Sequence, residues 1–313
     1  MFKRTVLSLA MLGATAFANA EVLTTVKPLG FIASAITDGV TETKVLLPMS
    51  ASPHDYSLKP SDVEKLQSAK LVVWIGEEME TFLEKSVEKL PKEKVLTLEE
   101  VDAIKALVEH EGHDHSDHQE DAHKHDDHKH EHSHGHDHGH DHDENWHIWL
   151  SPTASGHVAE QIAQRLTQIY PEQKAKIAQN LADFNVALTA KNGEIEKQLA
   201  AFKDKGYYTF HDAYGYFEKA YGLNSLGSFT INPTIAPGAK TLSAIKNSIA
   251  KHQAKCLFAE PQFTPKVMDS LSKGTATNVG KLDPLGEKVE LGKNAYPQFL
   301  QAMADQFSEC LAK

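Results

Sequence analysis

The chain has 313 residues, 41% hydrophobic and 24% charged, with a formal net charge of −11. That composition supports one or two globular cores and excludes collagen, coiled coil and a wholly disordered chain. The acidic balance excludes a phosphate-backbone partner, so no nucleic acid is expected. Nineteen histidines beside two cysteines are the departure from average usage, and they point to metal before any motif is read.

In chain order, Lys3 and Arg4 precede an apolar run from Val6 to Phe17 and an Ala18-Asn19-Ala20 exit. This pattern predicts a secretory signal peptide over 1–20, with the mature chain beginning at Glu21. The apolar run is too short to span a bilayer, and no later stretch approaches about 20 apolar residues. No cysteine near the exit could take a lipid, so a freely diffusing, monomeric protein of a Gram-negative periplasm is expected. An oxidising compartment predicts that Cys256 and Cys310 are disulfide-bonded.

Val22 to Val26, Lys44 to Leu47, Leu71 to Ile75 and Lys94 to Leu98 read as strands. Ser61 to Ala69 reads as a helix between the second and third, with Ser61 and Glu64 as a capping box. Strand–helix–strand spacing means parallel βα units, giving a first α/β lobe over 21–151. From Pro152 the chain is helical for about fifty residues, broken at Pro171, which defines a linker helix region over 152–205. A second α/β pattern follows at Tyr207 to Phe210, Leu223 to Phe229, Lys255 to Ala259 and Asn278 to Leu282, a lobe over 206–313. Two similar lobes with parallel sheets joined by a helix make a cleft, where ligands favour binding.

The insert over 111–144 is almost only His, Asp, Glu, Lys, Gly and Ser. It holds twelve acidic residues against two lysines, so −10 of the chain's −11 lies there and the lobes are nearly neutral. Nothing in it can offset ordering entropy by burial. Its imidazoles, at His113, His115, His118, His123, His125, His128, His130, His132, His134, His136, His138, His140 and His142, can chelate divalent transition metals in many alternative ways. Many arrangements mean modest affinity and little selectivity.

Outside the tract from His110 to His142, five histidines remain. His54 follows the second strand, His147 follows the insert, and His211 ends a strand; carboxyl ends of strands are where ligands bind in open α/β sheets. Singly, each reads as a packed or capping histidine; together they supply ligands from both lobes. Three imidazoles plus water or a carboxylate suit tetrahedral Zn²⁺. Asp283, ending the last strand, is the better placed carboxylate, as fourth ligand or orienting group, while Glu260 is read as orienting a neighbour. His157 and His252 sit in polar helical patterns and read as surface residues.

At this point the motifs resemble the metal-binding proteins of ABC importers for zinc and manganese, the zinc members most closely. Pro53-His54-Asp55-Tyr56 with Pro60-Ser61-Asp62 is similar to that family's first ligand motif, and His147-Ile148-Trp149-Leu150-Ser151-Pro152 to its second. His211-Asp212-Ala213-Tyr214-Gly215-Tyr216-Phe217 resembles the third, and Leu282-Asp283-Pro284 the fourth. The resemblance covers the mature chain and implies a rigid linker helix with little lobe movement. Manganese members carry a carboxylate where this chain has His211, so the resemblance favours zinc; Pro53 stands where some zinc members place a Glu, so water or Asp283 must replace that ligand.

The expectation is therefore a non-enzymatic carrier. Zn²⁺ is its transported ligand, held by His54, His147, His211 and Asp283 and delivered to an inner-membrane ABC permease and its ATPase. The insert serves auxiliary capture or sensing. The alternatives are a periplasmic metal buffer or chaperone and a manganese-binding member. A zinc hydrolase is the enzyme rival, but His-Glu-x-x-His is missing.

Overall fold

The computed structural model describes residues 22–111, 144–231, 233–234, 236–261 and 266–313. The expected leader and the insert histidines His113 to His142 lie outside the described residues. Four short strands, β1 (Val22–Thr24), β2 (Thr43–Val45), β3 (Leu71–Trp74) and β4 (Val95–Thr97), form an all-parallel sheet in the order β2-β1-β3-β4. Around it run α1 (Lys27–Ile36), α2 (Pro60–Ser68), the short α3 (Glu77–Glu80) and α4 (Glu84–Val87), and α5 (Asp102–Glu111). Leu71, Val72, Val73 and Trp74 are all buried, as expected of a parallel strand covered on both faces.

The chain then forms α6 (Pro152–Ile169) and α7 (Lys174–Leu199), interrupted at Pro171. Ser151 caps α6 by accepting from Ala154 N. A second sheet repeats the topology of the first: β5 (Gly206–His211), β6 (Ser225–Thr230), β7 (Ala254–Ala259) and β8 (Asn278–Lys281) lie parallel in the order β6-β5-β7-β8. Its helices are α8 (Gly215–Tyr221), α9 (Ala239–Ala250), α10 (Lys266–Ser272) and the C-terminal α11 (Ala295–Leu311).

The helix after β2 begins differently from expectation. Its cap is Lys59, not Ser61, and Asp62 rather than Glu64 closes the turn by accepting from Lys59 N at 3.1 Å. Pro60 explains the shift, because its fixed φ suits the first helical position.

One hydrophobic core runs through both lobes. α11 joins them: Phe299 packs on Phe31 of α1 at 5.5 Å between ring centroids, while Phe307 meets Tyr207 and Phe258 of the second sheet at 5.3 and 5.1 Å. α11 also packs against α7, and Cys310 on it is disulfide-bonded to Cys256 of β7, with Cα atoms 6.2 Å apart. The opposite face of the second sheet has its own cluster, including Phe210, Phe229, Ile245 and Leu257. Alternate strand residues thus face two cores, Phe258 one way and Leu257 the other.

Candidate metal centre

Three elements bring three imidazoles to one point. His54 lies in the loop between β2 and α2; its backbone N–H donates to Ser52 Oγ at 3.2 Å. The loop is pinned two residues on, where Tyr56 donates to Asp62 Oδ2 at 2.9 Å and stacks edge-on against Phe82. His147 precedes a single 3₁₀ turn, Ile148–Leu150, which leads into α6. His211 is the last residue of β5, the central strand whose neighbour β7 ends one position before Glu260. His211 and Glu260 therefore flank the point where strand order reverses, the usual ligand position in such sheets.

The Nε2 atom of His147 lies 3.1 Å from that of His54 and 3.2 Å from that of His211. All three nitrogens fall within 4.8 Å of one another, the group of metal-ligating side chains found among the described residues. Nitrogens about 2.0–2.1 Å from a tetrahedral ion stand about 3.3 Å apart, so these spacings are those of a tetrahedron's edges. Without a cation, converging lone pairs repel; a cation relieves the repulsion.

The Nδ1 atoms of His147 and His211 face outward to different partners. Asn145 Oδ1 lies 2.7 Å from His147 Nδ1 and also accepts the His147 backbone N–H at 3.1 Å. The Asn145 amide donates to Asp212 O at 3.2 Å, which settles that its oxygen faces the ring. Glu260 Oε1 lies 2.5 Å from His211 Nδ1 and accepts from Tyr214 OH at 3.1 Å. Burial, then Glu260, keeps the Tyr214 phenol protonated far above neutrality. Both outward acceptors place the ring proton on Nδ1 and leave the Nε2 lone pair for a metal.

Burial, reinforced by His211, pulls His54 down from 6.5 to about 4. Burial, then His211 and His54, holds His147 well below the usual histidine value. Both are neutral at pH 7, the form that ligates. The cavity at the site has a volume of 20 Å³ and is lined by the three histidines with Ser52, Pro53, Trp149, Glu260 and Pro284, among others. That is room for an ion or a water molecule.

Asp283, expected as a fourth ligand or orienting group, has its carboxylate oxygens engaged by backbone N–H groups. Its Oδ1 accepts from Leu285 N and Gly286 N at 3.1 and 3.0 Å and its Oδ2 from Glu287 N at 2.6 Å. These bonds close the turn after β8, and the carboxylate is not part of the three-imidazole group. The orienting contact comes from Glu260, at the equivalent end of the more central strand β7. Asn145 carried no signal as a lone amide beside the acidic tract; its spacing of two from His147 is the only sequence cue. His157 sits on α6 beside Glu160 at 3.2 Å. His252, expected within a helix, stands just beyond α9 with φ 56°, the left-handed conformation that ends a helix.

The sequence model of the family described as "ZnuA: Zinc-uptake complex component A periplasmic" matches residues 22–310. The chain is 72% identical to the "High-affinity zinc uptake system protein ZnuA" of Haemophilus ducreyi, over 100% of both chains. It is 53% identical to the protein of that name in Haemophilus influenzae, over 100% of this chain and 99% of the relative. A solved structure described as the crystal structure of ZnuA shares the fold, with a TM-score of 0.72 at 22% identity over 93% of this chain and 98% of that one. The chain belongs to the ZnuA family of periplasmic zinc-uptake components.

Proposed function

We propose that this chain captures Zn²⁺ between its lobes, with His54, His147 and His211 as ligands, and delivers it to an inner-membrane ABC permease and its ATPase. The observation that carries the reading is the convergence of three imidazoles, with the Nε2 atoms of His54 and His211 each at a tetrahedral-edge distance from that of His147. A water molecule takes the remaining tetrahedral position. An all-imidazole protein set suits Zn²⁺ and suits Mn²⁺ poorly. The small cavity supports a carrier over a hydrolase, since a catalytic zinc needs room for substrate beside it. Within this reading residues 1–20 direct export to the periplasm, the lobes span 21–151 and 206–313 around the 152–205 linker, and the monomer is the working unit. The histidines from His113 to His142 gather zinc when it is abundant, filling after the central site.

Calorimetric zinc titration against a competing chelator tests this on the mature chain, on a chain lacking 111–144, and on a His54→Ala/His147→Ala/His211→Ala variant. One tight site retained without the insert and lost in the triple variant is the expected result. Tight binding that survives the triple variant and disappears with the insert would make the protein a metal buffer.

A further inference from the structure

The three imidazoles are not held alike. His147 and His211 are buried, and each has its Nδ1 against a fixed oxygen, of Asn145 at 2.7 Å and of Glu260 at 2.5 Å. His54 is only partly buried, and among the described residues its Nδ1 meets no such acceptor; its ring lies against those of the other two histidines. The supports also differ in origin. The segment carrying His147 is tied to the second lobe by Asn145 to Asp212 O and by Tyr216 OH to Asn145 O at 2.6 Å, so His147 and His211 are linked behind their rings although 64 residues separate them. His54 arrives on a loop of the first lobe whose side-chain anchor is Tyr56.

We infer that Asn145 and Glu260 are positioning residues that lock His147 and His211 into a preformed two-imidazole half-site, and that His54 is the last ligand to join the ion and the first to leave. This rests on the zinc-carrier reading above. Its physical basis is the cost of orientation. A ring whose Nδ1–H is already bonded presents Nε2 in a single tautomer and rotamer, so metal meets two ligands without ordering them. His54 must select both on closing. Release by a transport partner then requires displacing one loop, with the pair of bonds behind His147 and His211 undisturbed. A negative charge on Glu260 also strengthens His211 as a donor, which an amide at that position would do less well.

Stopped-flow uptake and chelator-driven release of Zn²⁺ on the full mature chain, together with ¹⁵N shifts of the histidine ring nitrogens in the metal-free protein, test the inference. His54→Ala is expected to raise the dissociation rate about 100-fold and change association less than about threefold, the usual division between related binding sites. Glu260→Ala is expected to weaken zinc binding about 10–100-fold and to shift His211 from the Nδ1–H tautomer to a mixture. Glu260→Gln, which keeps an acceptor and the side-chain volume, restores the tautomer and part of the affinity; it also serves if Glu260→Ala fails to fold. Asn145→Ala moves the His147 shifts in the same way. The inference is overturned if His54→Ala slows association as much as His147→Ala or His211→Ala, or if the ring shifts ignore both Glu260 variants. Absence of a tight zinc site in the unmodified chain would instead remove the carrier reading itself.

Discussion

Trp149 Nε1 donates to the carbonyl of Pro284 at 2.9 Å, across 135 residues of chain. The bond connects the turn that follows His147 to the turn that Asp283 closes. The same indole lies edge-on to the His147 ring at 5.2 Å, and Tyr296 OH reaches back to Trp149 O at 2.8 Å. Trp149→Phe keeps the aromatic face and removes the donor, leaving a buried carbonyl unpaired. Chemical denaturation of the metal-free protein should show a loss of about 1–3 kcal/mol, and zinc affinity should fall with it, because the plane against which His147 rests is no longer fixed.

The depressed titration of His54 gives a signed pH dependence. Its imidazole titrates near 6.5 when unfolded and at about 4 when folded, so between those values the unfolded chain binds the extra proton. Stability contributed by keeping His54 neutral is therefore lost as pH falls from about 6.5 to about 4. With a discount for its partial exposure, the loss is about 2 kcal/mol. Comparing metal-free wild type and His54→Gln in urea at pH 7 and pH 4.5 checks it: the variant should gain on the wild type by that amount at the lower pH. An equal response in both proteins would sink the assignment.

Glu80 predicts the opposite trend. Its carboxyl is fully buried, accepts from Ile75 N at 2.7 Å, and is pushed up by burial from 4.5 to about 7. Here the folded chain binds the extra proton, so stability falls as pH rises from about 4.5 through about 7. Glu80→Gln keeps the acceptor and removes the charge. Its melting temperature should exceed the wild type's at pH 8, by the equivalent of about 1–3 kcal/mol, and approach it at pH 5.

Asp283 should behave as a turn-forming residue. Asp283→Ala deprives three backbone N–H groups of their acceptor and is expected to lower stability by about 2 kcal/mol. Zinc affinity, measured against a chelator, should fall less than in His147→Ala. A loss as large as that of a histidine variant would make Asp283 a ligand of the ion.

The legibility of the chain followed the physics of each element. β3 and β7 stood out because parallel strands are continuous apolar runs, and α6 and α7 because they are long and half-exposed. α1 escaped: eight of its ten residues are buried, so no polar face marks a helical period. At the site, the three histidines were legible as residues that follow strands or the insert. What distinguished Glu260 from Asp283 was not, because both follow a strand in the second sheet. β7 adjoins the central β5 and β8 does not, and strand order is a tertiary fact that residue spacing does not carry.

The packing of α11 against α1 carries a consequence for the time at which the molecule becomes competent. Phe31 and Phe299 meet across nearly the whole length of the described chain, as do Ser34 and Gly292, whose hydrogen bond spans 258 residues. Contacts of such separation cost loop-closure entropy before they stabilise the fold. A chain emerging from its N-terminal end cannot complete the core of its first lobe until its last helix has arrived. The loop bearing His54 and the strand bearing His211 belong to lobes that share this core, so a chain that lacks α11 is expected to lack a finished ion site.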